Sequence, residues 1–331
     1  MNQKRISNLE AKANAMQIYN KYSPEERCSF DIIRTVTDLG YTIIFRPTDD
    51  LLGATIEVED EYRGILITSQ RSLPIQRFTL AHELGHLILN HKMWFDPLIS
   101  NEDLSSHNFS AYPEEEAANT FASELLAPRK LIFSIAKSQG WRLKDFSNPF
   151  VIYQLSLRLG LSFKATCWAL ERCSVISYEE AYKLATKTKV KEMKEYLTMG
   201  IEISDPWSDV WNITKNDGKR KLECGPNDLF AISVQDNSSS GYLWIVEDQE
   251  GEFEIMYKLY EEFTPLYGKN LSRTMFIKTR HEGKHTLRLK HMRPWNMETI
   301  DTFCISYTNY GKEPDGYPRF VKEMRIGDMH A

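Results

Sequence analysis

Cysteine is scarce in this chain of 331 residues: Cys28, Cys167, Cys173, Cys224 and Cys304 are odd in number, widely spaced and form no C-x-x-C pair. Such usage excludes a disulfide framework and leaves no cysteine cluster for a structural zinc, as expected of a reducing compartment. Long apolar runs are missing as well. No stretch approaches 18 apolar residues, and Met1 to Glu10 has no apolar signal core, so neither a membrane span nor export is expected. Positive charge is not in excess: 41 Lys and Arg against 46 Asp and Glu give −5 and a pI near 6.0, which removes any global attraction to nucleic acid. The basic stretches from Lys215 to Lys221 and from Lys278 to Arg293 read as solvated surface. With no repeat or low-complexity tract, the expectation is a soluble cytoplasmic protein without a membrane partner.

What is present is enough apolar material, 42% hydrophobic and 12% aromatic, to build two packed domains. The most informative segment runs from Phe78 to Leu89, FTLAHELGHLIL. Phe78, Ala81, Leu84, Leu87 and Ile88 recur at helical spacing, which predicts a helix with one buried stripe. On that helix His82 and His86 lie one turn apart and can ligate one ion, with Glu83 beside them. Neutral imidazole suits zinc, and a carboxylate next to the pair can take a proton from a water that zinc has acidified. A third protein ligand is required. The stretch Tyr112 to Pro128 reads as a second helix, with Pro113 in its first turn and a stripe of Ala118, Phe121, Ala122 and Leu125. Glu115 projects from the inward side and is the expected ligand; Glu114 and Glu116 flank it.

These two blocks, R-F-T-L-A-H-E-L-G-H and E-x-x-A-N-x-F-A-x-x-L-L-x-P, resemble the ImmA/IrrE metallopeptidases, a likeness extending over about residues 10–190. The resemblance implies an α+β zincin-like domain that binds one zinc ion through His82, His86 and Glu115, with Glu83 as general base. Asn119, one turn beyond Glu115, is a candidate to orient a ligand. The family often carries Glu two residues after its ligand, where this chain has Ala117, which leaves Glu114 and Glu116 as alternatives. Tyr112, His91 and His107 are candidate oxyanion donors; Arg77 is a candidate to brace the start of the helix or hold substrate, with an ordinary salt bridge the expected reading. The segment Leu155 to Ser162 resembles the family's closing helix-turn-helix-like element and is expected to complete the fold rather than bind DNA.

From about residue 205 the helical pattern fades, and residues 206–218 read as a linker between domains at 1–205 and 219–331. Beyond it the period becomes two, in short runs such as Phe230 to Val234, Tyr242 to Val246, Thr286 to Leu289 and Phe303 to Tyr307. Such runs predict an all-β sandwich. The loops Asn237-Ser-Ser-Ser-Gly241-Tyr242-Leu-Trp244 and Arg293-Pro-Trp295 resemble those of chagasin-type cysteine-protease inhibitors. That likeness implies an immunoglobulin-like sandwich in which Asn237, Gly241, Tyr242, Arg293 and Trp295 are candidate partner-binding residues. The family's glycine-rich third loop has no counterpart at Phe263 to Asn270.

The expected function is a zinc endopeptidase that cuts one protein at a specific site. The first resemblance implies that the substrate is a helix-turn-helix repressor and that the cut releases a stress, mobile-element or phage-defence response, with a protein or nucleic-acid activator sensed by the C-terminal domain. The alternative is a binding module whose sandwich recognises a protease or other protein while the zinc unit is secondary.

Overall fold

The computed structural model describes residues 2–23, 27–58, 62–91, 113–203, 205, 207–236, 240–247, 253–259, 271–279, 281–311 and 313–329. Its first half is mixed α/β. Helices α1 (Asn2–Tyr22) and α2 (Ile32–Asp38) precede strands β1 (Thr42–Arg46), β2 (Gly53–Val58) and β3 (Tyr62–Thr68). Helix α3 (Leu73–Ile88) and helix α4 (Pro113–Leu126) follow, then α5 (Arg129–Gln139), α6 (Pro149–Leu159), α7 (Phe163–Arg172), α8 (Tyr178–Lys187) and α9 (Val190–Leu197). Local chemistry sets several of the boundaries. Asn148 accepts from Phe150 N to open α6, Gly160 closes it in the left-handed region at φ 67°, and Ser162 accepts from Ala165 N to open α7.

The N-terminal sheet has the order β1-β3-β2, with β1 parallel and β2 antiparallel to the central strand. Ile43, Phe45, Ile65 and Ile67 are buried, giving α3 an apolar surface to lie on. Strand β2 went unread in the sequence because Gly53-Ala-Thr-Ile-Glu-Val alternates weakly. It is an edge strand, and among the described residues nothing pairs with its outer side. The other edge is covered: Phe45 and Gly316 exchange two backbone hydrogen bonds of 2.8 and 2.7 Å.

The second half is β-rich. Strands β4 (Val210–Ile213), β5 (Leu222–Cys224), β6 (Leu229–Asp236), β7 (Leu243–Val246), β8 (Phe253–Leu259), β9 (Leu271–Thr279), β10 (Gly283–Met292) and β11 (Thr299–Asn309) form two four-stranded sheets. Their orders are β5-β11-β10-β7 and β4-β6-β9-β8. Two pairs, β4 with β6 and β5 with β11, are parallel; the others are antiparallel. Phe230 of one sheet meets Tyr307 of the other edge-on, with ring centroids 5.1 Å apart. The expectation of an all-β region fails at its end, where α10 (Arg319–Met329) follows the last strand. Residues expected as a linker also carry structure: β4 joins the sheet, and a 3-10 turn at Lys215–Lys219 follows it.

The two halves share one buried cluster that includes Phe30, Phe121, Leu155, Trp211, Phe230 and Tyr307. Polar contacts reinforce it. Gln154 of α6 donates from Nε2 to Val210 O and accepts from Asn212 N, acting as a short extra strand for β4. Arg158 lies buried beside Asp217 in a bidentate pair, both contacts 2.9 Å, and Gln139 Nε2 and Thr214 N also donate to that carboxylate. Such a pair is costly to break because the remaining charge stays buried. Asp217→Asn is expected to destabilise the chain by about 3–5 kcal/mol, read as a lowered unfolding midpoint in urea.

Candidate metal centre

Helices α3 and α4 cross closely. A Cβ on Gly85 would lie 3.2 Å from Ala118 Cα and 3.2 Å from the Phe121 ring, so a side chain at 85 would push the two helices apart by a few tenths of an ångström. Across the contact, His82 and His86 of α3 face Glu115 of α4. The two Nε2 atoms are 3.0 Å apart, His82 Nε2 is 3.1 Å from Glu115 Oε2, and His86 Nε2 is 3.3 Å from Glu115 Oε1. In a tetrahedral zinc site with bonds of about 2.0–2.1 Å, neighbouring ligand atoms stand roughly 3.3 Å apart. The three donors therefore match one face of such a site. Glu115 Oε2 is buried without a hydrogen bond of good geometry, a further sign that these atoms await a cation.

Each imidazole is held from behind. His82 Nδ1 lies 3.0 Å from Asn119 Oδ1; with that oxygen toward the ring, Nδ1 carries the hydrogen and Nε2 presents its lone pair to the cluster. His91 Nδ1 lies 3.1 Å from His86 Nδ1, so His91 contacts the nitrogen that His86 turns away from Glu115. That places His91, expected as a candidate oxyanion donor, against the far side of His86. Burial opposes ionisation of Glu115, but the two imidazoles outweigh it and hold its carboxyl well below the usual range. Burial, followed by the nearby charge of His86, lowers the His91 imidazole to about 4. The first shift keeps Glu115 a carboxylate at neutral pH, the form in which it can ligate a metal, and the second keeps His91 neutral.

Glu83 points toward β2. Burial, the largest influence, pushes its carboxyl up to about 7, Glu115 adds to the rise, and His86 and the Thr55 backbone N–H oppose it. A cation at the three donors would lower it from there. Gly53 makes the approach possible, since a Cβ there would lie 2.5 Å from Thr79 Cγ2 and 3.2 Å from Glu83 Cγ. Sequence reasoning missed Gly53 and Thr55. The one available signal was a glycine opening a strand, which marks close approach of another group.

The remaining candidates divide. Arg77 is buried on α3 and points away from the cluster, pairing with Glu223 at 2.7 Å. Glu114 is exposed on the first turn of α4, and Glu116 accepts from Asn8 Nδ2 at 2.9 Å; neither joins the metal-ligating group. Tyr112, His107 and Asn237 lie outside the described residues. In the second half, Gly241 adopts φ 79° and sits so close to Trp295 that a Cβ would be 2.2 Å from the ring. Arg293 stacks its guanidinium 4.3 Å over Tyr242 and donates to Ser240 O at 3.0 Å. These contacts join two loops into one tip on which Trp295 is 70% exposed.

Comparison with known proteins agrees with this two-part layout. Residues 36–171 match the IrrE N-terminal-like domain of the M78 peptidases, and residues 224–307 match the Chagasin family peptidase inhibitor I42. Amoebiasin-2 of Entamoeba histolytica is 22% identical over 119 residues, 35% of this chain and 97% of that protein. A crystal structure of a cysteine protease inhibitor from Entamoeba histolytica is 24% identical, spans 32% of this chain and 99% of its own, and superposes with a TM-score of 0.27. A Mycobacterium tuberculosis transcriptional regulator is 12% identical over 82% of this chain and 76% of its own, with a TM-score of 0.35. No described helix is long and apolar enough to cross a membrane.

Two measurements check the centre. Asn119→Ala is expected to weaken Zn2+ affinity by about 10–100-fold, in line with the loss of groups that orient a metal-ligating histidine, as read by competition with a chromophoric chelator. Gly53→Ala, whose methyl meets both Thr79 and Glu83, is expected to lower kcat of any hydrolysis that depends on Glu83 by a larger factor than it lowers Zn2+ affinity.

Proposed function

We propose that this protein is a zinc-dependent endopeptidase that cuts a protein substrate at a specific site, the substrate being a helix-turn-helix transcriptional repressor whose loss releases a stress, mobile-element or phage-defence response. The observation that carries the hydrolytic reading is the convergence of His82, His86 and Glu115 with the buried Glu83 alongside. The match to an IrrE N-terminal-like domain supports the choice of a regulator as substrate. The division proposed is a zincin-like unit at 1–205 and an immunoglobulin-like sandwich at 219–331, joined by residues 206–218.

When bound, zinc supplies Lewis acidity, polarising the scissile carbonyl and acidifying a water. The chain does the rest. Asn119 Oδ1 orients His82 so that its Nε2 faces the metal position, and His91 braces the far nitrogen of His86. Glu83 takes the proton of the attacking water and returns it to the leaving amine, held for that task by Thr55 and by the absence of a side chain at 53. The free edge of β2, beside Glu83, offers backbone groups to an extended substrate as an added strand. His82, Glu83, His86 and Glu115 share the reaction, while the sandwich docks substrate or senses a protein or nucleic-acid activator.

A second reading rests on the tip formed by Gly241, Tyr242, Arg293 and Trp295. An exposed tryptophan on a pre-ordered loop pair is the kind of rigid anchor that binds a protein cleft. The matched inhibitor family makes a cysteine peptidase the first partner to try. In this reading the zinc unit is secondary.

Cells producing wild-type protein are expected to contain at least one new protein N-terminus that is absent with Glu83→Ala, in a mass-spectrometric survey with and without stress. A chelator should abolish the same cut in vitro, and added Zn2+ should restore it. If both proteins bind zinc and no terminus differs, the hydrolytic reading fails. The second reading predicts that a papain-like cysteine peptidase is inhibited by wild type and at least tenfold less by Trp295→Ala.

A further inference from the structure

The metal-bearing helix is seated by a residue that belongs to neither matched stretch. Glu223, on the short strand β5, turns its carboxylate into the junction between the two halves and meets three donors from the N-terminal half. Arg27 Nη1 lies at 3.0 Å, Ser29 Oγ at 2.8 Å and Arg77 Nη1 at 2.7 Å. Arg77 is itself fixed on its other sides: Nη2 donates to Phe30 O, and a Cβ on Gly160 would lie 2.9 Å from its guanidinium carbon. The guanidinium is thus confined by a carboxylate, a carbonyl and a glycine, and among the described residues the carboxylate of Glu223 is its ion-pair partner.

Arg77 stands on α3 about 7.5 Å before His82 along the helix axis, and Gly85, where α3 touches α4, stands about 4.5 Å after it, at 1.5 Å per residue. The helix is therefore gripped at two points that straddle the first metal-facing histidine. Loss of the Arg77 grip leaves α3 free to tilt about Gly85. His82, a third of the way along that lever from Gly85, then shifts by about a third of the displacement at Arg77, while His86, next to Gly85, scarcely moves. Nε2 spacings of 3.0–3.3 Å leave little tolerance for that shift.

We propose that Glu223 is a positioning residue for the metal centre, acting through Arg77 to set the tilt of α3 and so the place of His82 relative to His86 and Glu115. The proposal rests on the metal-site reading above. It makes the β-rich half part of the metal centre's framework and not an appended module.

The test uses the full chain with Zn2+ and Co2+ as probes. Glu223→Gln is expected to lower Zn2+ affinity about tenfold and to alter the visible spectrum of the Co2+-loaded protein, which reports ligand geometry. Asp217→Asn, which breaks the other buried pair of the junction, lowers thermal stability but leaves the Co2+ spectrum unchanged. In an Arg77→Met background, Glu223→Gln has no further effect on either readout, because its route to the metal is already cut. If Glu223→Gln yields too little folded protein, Glu223→Asp, which keeps the charge on a shorter arm, is expected to show the same spectral change with a smaller loss of affinity. The proposal is overturned if the folded Glu223 variants bind Zn2+ and Co2+ as wild type does, or if the effects of the Arg77 and Glu223 changes simply add. Failure of wild type itself to bind one Zn2+ would instead remove the metal-site reading, and this proposal with it.

Discussion

The closeness of α3 to α4 at Gly85 is the constraint on which the centre depends. Glu115 has a short side chain and stands on a different helix from the two histidines, so it reaches them only if the helix backbones nearly touch. A methyl group at 85 meets both Ala118 and Phe121. On the other side Ala118, fully buried on α4, is small enough to allow the same approach. Packing therefore determines chemistry here: three donors are brought to contact distance by the absence of side-chain volume between two helices, and their convergence is stabilised by Asn119 and His91 behind them.

Around that contact the molecule uses buried charge where an apolar interface would have sufficed for adhesion. Arg158 with Asp217, and Arg77 with Glu223, each sit between the halves, and both acids come from the short stretch between the two family matches. Buried ion pairs contribute little net stability compared with apolar residues of equal size. What they supply is a geometry that tolerates no sliding, because a displaced guanidinium loses its counter-charge.

Helix α3 was readable from the sequence because its chemistry and its periodicity coincide in one segment: FTLAHELGHLIL carries both the stripe and the two histidines that converge with Glu115. Glu115 could be preferred over Glu114 and Glu116 because helical geometry separates the three, and the structure places Glu115 alone of them with the histidines. The strands from β6 to β11 were legible from their period of two. Strand β2 was not, since Gly53 and Ala54 dilute its pattern, and the same glycine that hid it is what Glu83 needs. Strands β4 and β5 are too short to show a period and exist because Gln154, β6 and β11 offer them backbone partners. Long-range partnerships such as Arg77 with Glu223 leave no local trace in a sequence.

The bridge between Phe45 and Gly316 closes an edge of the N-terminal sheet with a segment from far along the chain. Near it, Glu313 N donates to Gln76 on α3, whose Nε2 donates to Thr68 O at the end of β3. A ribosome adding roughly 5–20 residues per second needs on the order of 12–50 s to travel from α3 to this segment. Throughout that interval the sheet lacks its closing edge and Arg77, for most of it, lacks its counter-ion. Contacts that close the sheet edge and neutralise Arg77 are thus among the last that the emerging chain can make.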